Sequence, residues 1–77
     1  MAKAKIPEDK KQLIDNNLKV IFEALEEKGY DPVSQILGYI FTGDPTYMTT
    51  HKNARILMSE LDNEEIARHV LEVYFNL

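Results

Sequence analysis

EALEEKGYDPVSQILGYIFTGDPTYMTTHKNARILM, residues 23–58, decides the fold of this chain. All three glycines lie in it, with two of the three prolines, and an Asp-Pro step occurs twice. Turn residues and apolar residues alternate too regularly for a linker, so the stretch reads as a compact helical unit with built-in stops and starts. Gly29 suits the left-handed conformation that ends a helix. Asp31 can then cap a new helix, with Pro32 at its first position, where a missing N–H costs nothing. Val33, Ile36, Leu37, Ile40 and Phe41 follow at helical spacing. Gly38 lies inside that helix at a cost of about 1 kcal/mol against alanine, which predicts a tight crossing by another backbone. Gly43, Asp44 and Pro45 repeat the stop-and-restart. A hydroxyl at Thr49 or Thr50 is expected to cap the next helix, which carries Ala54, Leu57, Met58 and Leu61.

Outward from this unit, the upstream residues Ile14, Leu18, Ile21, Phe22 and Leu25 form one stripe of an amphipathic helix over about 8–28. Pro7, Glu8 and Asp9 suit its start, since acids in a first turn complement the helix dipole. Downstream, Asp62 and Glu65 have capping-box spacing. They precede a last helix over about 63–75. Ile66, Val70, Val73, Tyr74 and Leu77 line one of its faces, and Ala67, Leu71 and Phe75 a second. That surface is broader than one core contact requires: the helix is either centrally buried or pairs with another chain. The fold class is thus all-α, a small bundle of four to five helices. Residues 1–7 read as a flexible tail and 8–77 as a single helical domain.

Seventy-seven residues bury only about 60% of the surface of the unfolded chain, so a private core is marginal. Without cysteine there are no disulfides, thiolate zinc sites or thiol catalysis to supplement it, and oligomerisation is the expected supplement. An intertwined homodimer is the expected form. A net charge of −4 disfavours a nucleic-acid partner. No segment suggests a membrane span or a signal core, and the expected compartment is the cytoplasm.

Chemistry could reside at His51 and Arg55, one helical turn apart, with Lys52 beside them and Asp44 upstream. Such a constellation could bind phosphate or shuttle a proton. Capping and ion pairing around the Asp44 turn is the simpler account, because no nucleophile elbow, P-loop, metal-ligand set or paired carboxylate accompanies it. His69 reads as an edge residue. The threonines at 46, 49 and 50 could be kinase targets, yet turn capping accounts for them. No catalytic, cofactor-binding or metal-binding residue is assigned, and no cofactor is expected. Lys52 and Arg55 could also suggest a DNA-reading helix over 51–61, but Glu60, Asp62, Glu64 and Glu65 would repel phosphates.

The pieces EALEEKGY at 23–30, Asp31-Pro32, Gln35-Ile36, Gly38-Tyr39, Gly43-Asp44-Pro45, Tyr47, His51-Lys52 and Ala54-Arg55 closely resemble the IreB/ReoM family of small bacterial regulatory proteins. The resemblance implies an all-helical homodimer without enzymatic activity. It also implies control of peptidoglycan synthesis downstream of PASTA-type serine/threonine kinases, in part through regulated proteolysis of an early precursor enzyme by a Clp protease. Its implied partners are therefore regulatory proteins, a serine/threonine kinase or a protease-adaptor system. Two departures stand out. The family's phosphoacceptor is a threonine in the N-terminal tail, whereas residues 1–33 contain neither serine nor threonine, so no residue inherits that role and the phosphoacceptor is unknown. After Arg55, relatives tend to continue with basic residues, where this chain has the acidic run 59–65. The expected partner-binding surface is the 43–55 segment, with Asp44, Tyr47, His51, Lys52 and Arg55 as its candidate residues. The alternative is a nucleic-acid-binding transcriptional regulator using the 51–61 helix.

Overall fold

The computed structural model describes residues 6–77. Four α-helices, α1 (Glu8–Glu27), α2 (Pro32–Thr42), α3 (Ala54–Ser59) and α4 (Asn63–Tyr74), account for most of them, and the described residues contain no strand. Of the expected 1–7 tail, residues 1–5 lie outside the described residues, and Ile6 is buried.

The stops and starts are made by the residues that suit them. The α1 helix closes with Gly29 at φ +82°. There Tyr30 N–H reaches the Leu25 carbonyl and Gly29 N–H the Glu26 carbonyl, both at 3.0 Å, the paired bonds of a Schellman end. The Asp31 carboxylate accepts from Val33 N–H at 3.1 Å and Ser34 N–H at 3.4 Å, starting α2. Gly43, at φ +70°, ends it. Asp62 caps α4 through Glu65 N–H at 3.1 Å.

The core is formed by Ile14, Ile21, Ala24 and Leu25 of α1, Ala54 and Met58 of α3, Ile66 of α4 and Met48 from the connection. The α1 helix packs chiefly against α3 and then α2. Within this core Asn17 is buried, and its amide donates to the Leu57 carbonyl at 2.9 Å and to Glu60 Oε1 at 3.1 Å. Those two bonds fix how α1 sits against α3.

Three expectations need correction. Among the described residues, what lies nearest to Gly38 is a side chain and not a second backbone. The Tyr47 ring lies there instead, and a Cβ on residue 38 would come within 2.8 Å of its Cζ. The 51–61 helix is not continuous either. Residues His51–Asn53 form a 3-10 turn in which Lys52 (φ +53°) and Asn53 (φ +60°) are left-handed, and α3 begins only at Ala54. The hydroxyl that serves this junction is Thr49, whose Oγ1 accepts from His51 N–H at 3.1 Å. Finally, α4 is not centrally buried, since only Ile66 and His69 are covered on it.

The α2 helix buries no residue fully. While Ile36, Tyr39 and Ile40 pack against the core, its Val33, Leu37 and Phe41 stand 58%, 46% and 80% exposed. With Phe22 of α1 and Val70 and Leu71 of α4 they line an open groove of about 450 Å³. So large an uncovered apolar surface is unusual for a chain that functions alone.

Candidate functional site

The connection between α2 and α3, residues 43–53, carries the candidate residues, and α1 and α2 hold it in place. Asp44 organises its first turn. Its Oδ1 accepts from Thr46 N–H at 2.9 Å and from Thr46 Oγ1–H at 2.8 Å. These two bonds, aided by the more distant Arg55 charge, hold the Asp44 carboxyl below its ordinary value. The short 3-10 turn Pro45–Tyr47 follows. It is clamped from α2, where Gln35 Nε2–H donates to the Tyr47 carbonyl at 2.9 Å and Gly38, one turn later, admits the ring. Met48 then enters the core, and Arg55 reaches back so that Nε–H and Nη2–H both donate to the Met48 carbonyl, at 3.2 and 3.1 Å.

His51 and Lys52 turn the other way, toward the end of α1. Glu27 receives them on separate oxygens. His51 Nε2–H donates to Oε1 at 2.7 Å, and Lys52 Nζ–H donates to Oε2 at 2.8 Å. Adjacent residues in a regular helix would point about 100° apart and could not share one carboxylate. The left-handed Lys52 places its side chain beside that of His51. The contact is at the surface, with the His51 side chain 35% and that of Glu27 49% exposed. Lys52 first, and His51 second, hold the Glu27 carboxyl below its ordinary value, and Glu27 raises the Lys52 ammonium.

The five candidate residues therefore do not form one constellation. The acid paired with His51 is Glu27 and not Asp44, which serves its own turn. Tyr47 and Arg55 hold the connection together, which makes Arg55 a poor surface probe. Lys52 remains as an exposed charged group, with the partly exposed His51 imidazole beside it. The sequence alone does not connect Glu27 to residues 24 and 25 positions downstream. No local periodicity could have done so.

His69 was also misplaced. It is buried, not at an edge, and its Nε2–H donates to Asp15 Oδ1 at 2.8 Å, while Nδ1 has no partner among the described residues. Its position three residues after Ile66 was the available signal, because i and i+3 share a helix face. Among the described residues no group of three acidic, histidine or cysteine side chains is arranged to hold a metal ion, and no helix is long and apolar enough to cross a membrane.

A pH dependence follows from the Glu27 contact. A carboxyl lowered in the folded state stabilises the fold fully above its ordinary value of 4.5, and that stabilisation is lost as pH falls through the folded value. Lys52, raised from 10.5, contributes below that pH and loses its contribution as pH rises through its folded value. Glu27→Gln should flatten the acid limb of a plot of denaturation midpoint against pH, leaving the part due to Asp44. An unchanged limb would show that the contact does not persist in solution.

Comparison with known proteins adds to this geometry. A family model described as IreB regulatory phosphoprotein matches residues 1–76. A UPF0297 protein of Clostridioides difficile is 42% identical over 92% of this chain and 82% of its own length. One from Lachnoclostridium phytofermentans is 42% identical over 83% of this chain and 73% of its own. Another, from Ruminiclostridium cellulolyticum, is 41% identical over 91% and 80% respectively.

Proposed function

The chain belongs to the IreB regulatory phosphoprotein family, and from that membership we propose that it is a non-enzymatic cytoplasmic regulator that acts by binding other proteins. In this reading it works as a homodimer in the control of peptidoglycan synthesis, downstream of PASTA-type serine/threonine kinases. The observation that carries the binding role is the uncovered apolar face of α2. Ile36 and Ile40 anchor that helix to the core, whereas Val33, Leu37 and Phe41 face water and have no apolar neighbour among the described residues to cover them fully. Because they stand 46–80% exposed, covering Val33, Leu37 and Phe41 would recover a fraction of the roughly 1.5–3 kcal/mol that full burial of each side chain is worth, before the cost of association. A second copy of the same groove is the occupant that a twofold axis supplies without any other component.

The charged groups complement this arrangement. His51 and Lys52 reach from the connection to Glu27 at the end of α1, and Lys52 remains accessible for a second protein. The nucleic-acid reading has lost its continuous recognition helix, since α3 spans only Ala54–Ser59.

Sedimentation equilibrium tests the dimer directly. The expected result is a species of twice 8.9 kDa at micromolar concentration, converted to monomer by Phe41→Glu, with the helical circular-dichroism signal retained. A wild-type monomer across that range would remove the homodimer. For the regulatory contact, His51→Ala with Lys52→Ala should leave dimer and helicity intact while lowering affinity for the partner.

A further inference from the structure

We propose that Thr50 is a phosphoacceptor, and that its phosphate draws His51 and Lys52 away from Glu27. The inference rests on reading the chain as a regulatory phosphoprotein. The chain has six aliphatic hydroxyls, at Ser34, Thr42, Thr46, Thr49, Thr50 and Ser59. Five of them are engaged. Ser34 donates to Asp31, Thr42 to the Gly38 carbonyl, Thr46 to Asp44 and Ser59 to the Ile56 carbonyl, while Thr49 accepts from His51 N–H. Thr50 alone makes no side-chain hydrogen bond among the described residues. It is exposed, and it lies between the two 3-10 turns rather than within an α-helix. Turn capping, which explains the neighbouring threonines, does not explain this one.

Its surroundings supply a response to modification. His51 and Lys52 are the next two residues, and both are committed to a single solvent-exposed carboxylate. In the reaction, Thr50 Oγ1 forms a bond to the γ-phosphorus of a nucleoside triphosphate held by a protein kinase. The bond from that phosphorus to the nucleoside diphosphate oxygen breaks, and the hydroxyl proton passes to a carboxylate of the kinase. The product carries about −1.5 to −2 charges and three acceptor oxygens at neutral pH. A phosphate competes well with one carboxylate for two neighbouring nitrogen donors, one of them the Lys52 ammonium. Exchange of partners frees the end of α1 and reverses the sign of charge beside the connection. A partner that recognises His51 and Lys52 would thereby be released.

The test is phosphopeptide mapping of the full chain purified from the organism that encodes it, compared with Thr50→Val and Thr50→Ser. Phosphate on residue 50 in the wild type and in Thr50→Ser, and its loss in Thr50→Val, is expected. Phosphate found only elsewhere would overturn Thr50 and leave the phosphoprotein reading standing. Phosphate found nowhere would overturn both. The partner exchange is tested by placing phosphothreonine at position 50 and following the Glu27 carboxyl by NMR. Its titration should move upward toward the ordinary range, and an unmoved titration would overturn the exchange.

Discussion

Leu25→Ala is expected to lower the unfolding free energy by about 2–5 kcal/mol, the range for removing a large aliphatic side chain from a closed core. Leu25 is fully buried and belongs to the cluster joining α1, α3 and α4. Its carbonyl also receives Tyr30 N–H where α1 ends, so the surrounding backbone is restrained and little collapse into the void is expected. Domains of this size are stable by roughly 4–12 kcal/mol, and the substitution therefore removes a large share of the total. Urea denaturation at a fixed protein concentration measures it. Leu37→Ala is the informative comparison, because Leu37 is 46% exposed in the single chain. A small loss for Leu37→Ala at low protein concentration, growing as concentration rises, is expected of a side chain covered by a second subunit. Equal losses at all concentrations would place Leu37 within the private core.

Gly38→Ala should destabilise the protein by about 1–3 kcal/mol, as overpacked positions do. Helix propensity alone predicts the opposite sign, a gain of roughly 1 kcal/mol on replacing glycine by alanine inside a helix. The Tyr47 ring decides between them. An added Cβ would overlap its edge, and the Gln35 bond to the Tyr47 carbonyl holds the segment against retreat. Removing the ring by Tyr47→Ala should make Gly38→Ala neutral or stabilising in that background. A double-mutant cycle in chemical denaturation reads the coupling, expected within roughly 0.5–3 kcal/mol for residues in contact. Zero coupling would mean that the ring does not occupy this position in solution.

Much of the helix plan was legible because its signals are local. Gly29, Asp31, Pro32, Gly43, Asp44 and Asp62 act on backbone groups within five residues of themselves, and those bonds form where the sequence predicts. The break at Lys52 and Asn53 was not legible. Nothing in Thr-His-Lys-Asn marks a lysine for the left-handed region, where non-glycine residues cost roughly 1–2 kcal/mol. What favours it is tertiary. It lets His51 and Lys52 share Glu27 while Arg55 reaches the Met48 carbonyl. The burial of Asn17 and His69 was not legible for a related reason. Each occupies a position of an apolar face, but only the partners, Leu57 and Glu60 for one and Asp15 for the other, make burial of a polar group tolerable.

The residues at 23–58 by themselves determined an all-helical chain, where α1 ends and where α2 begins and ends, and the family to which it is similar. Those properties depend on periodicity, capping and motif order, which are written along the chain. Only the tertiary structure decided what Gly38 makes room for, which acid His51 and Lys52 share, and that Arg55 and Tyr47 hold the connection together. It also decided that Val33, Leu37 and Phe41 of the apolar α2 helix are left uncovered. Each of these depends on side chains brought together from distant segments, and packing, not local preference, selects such partners.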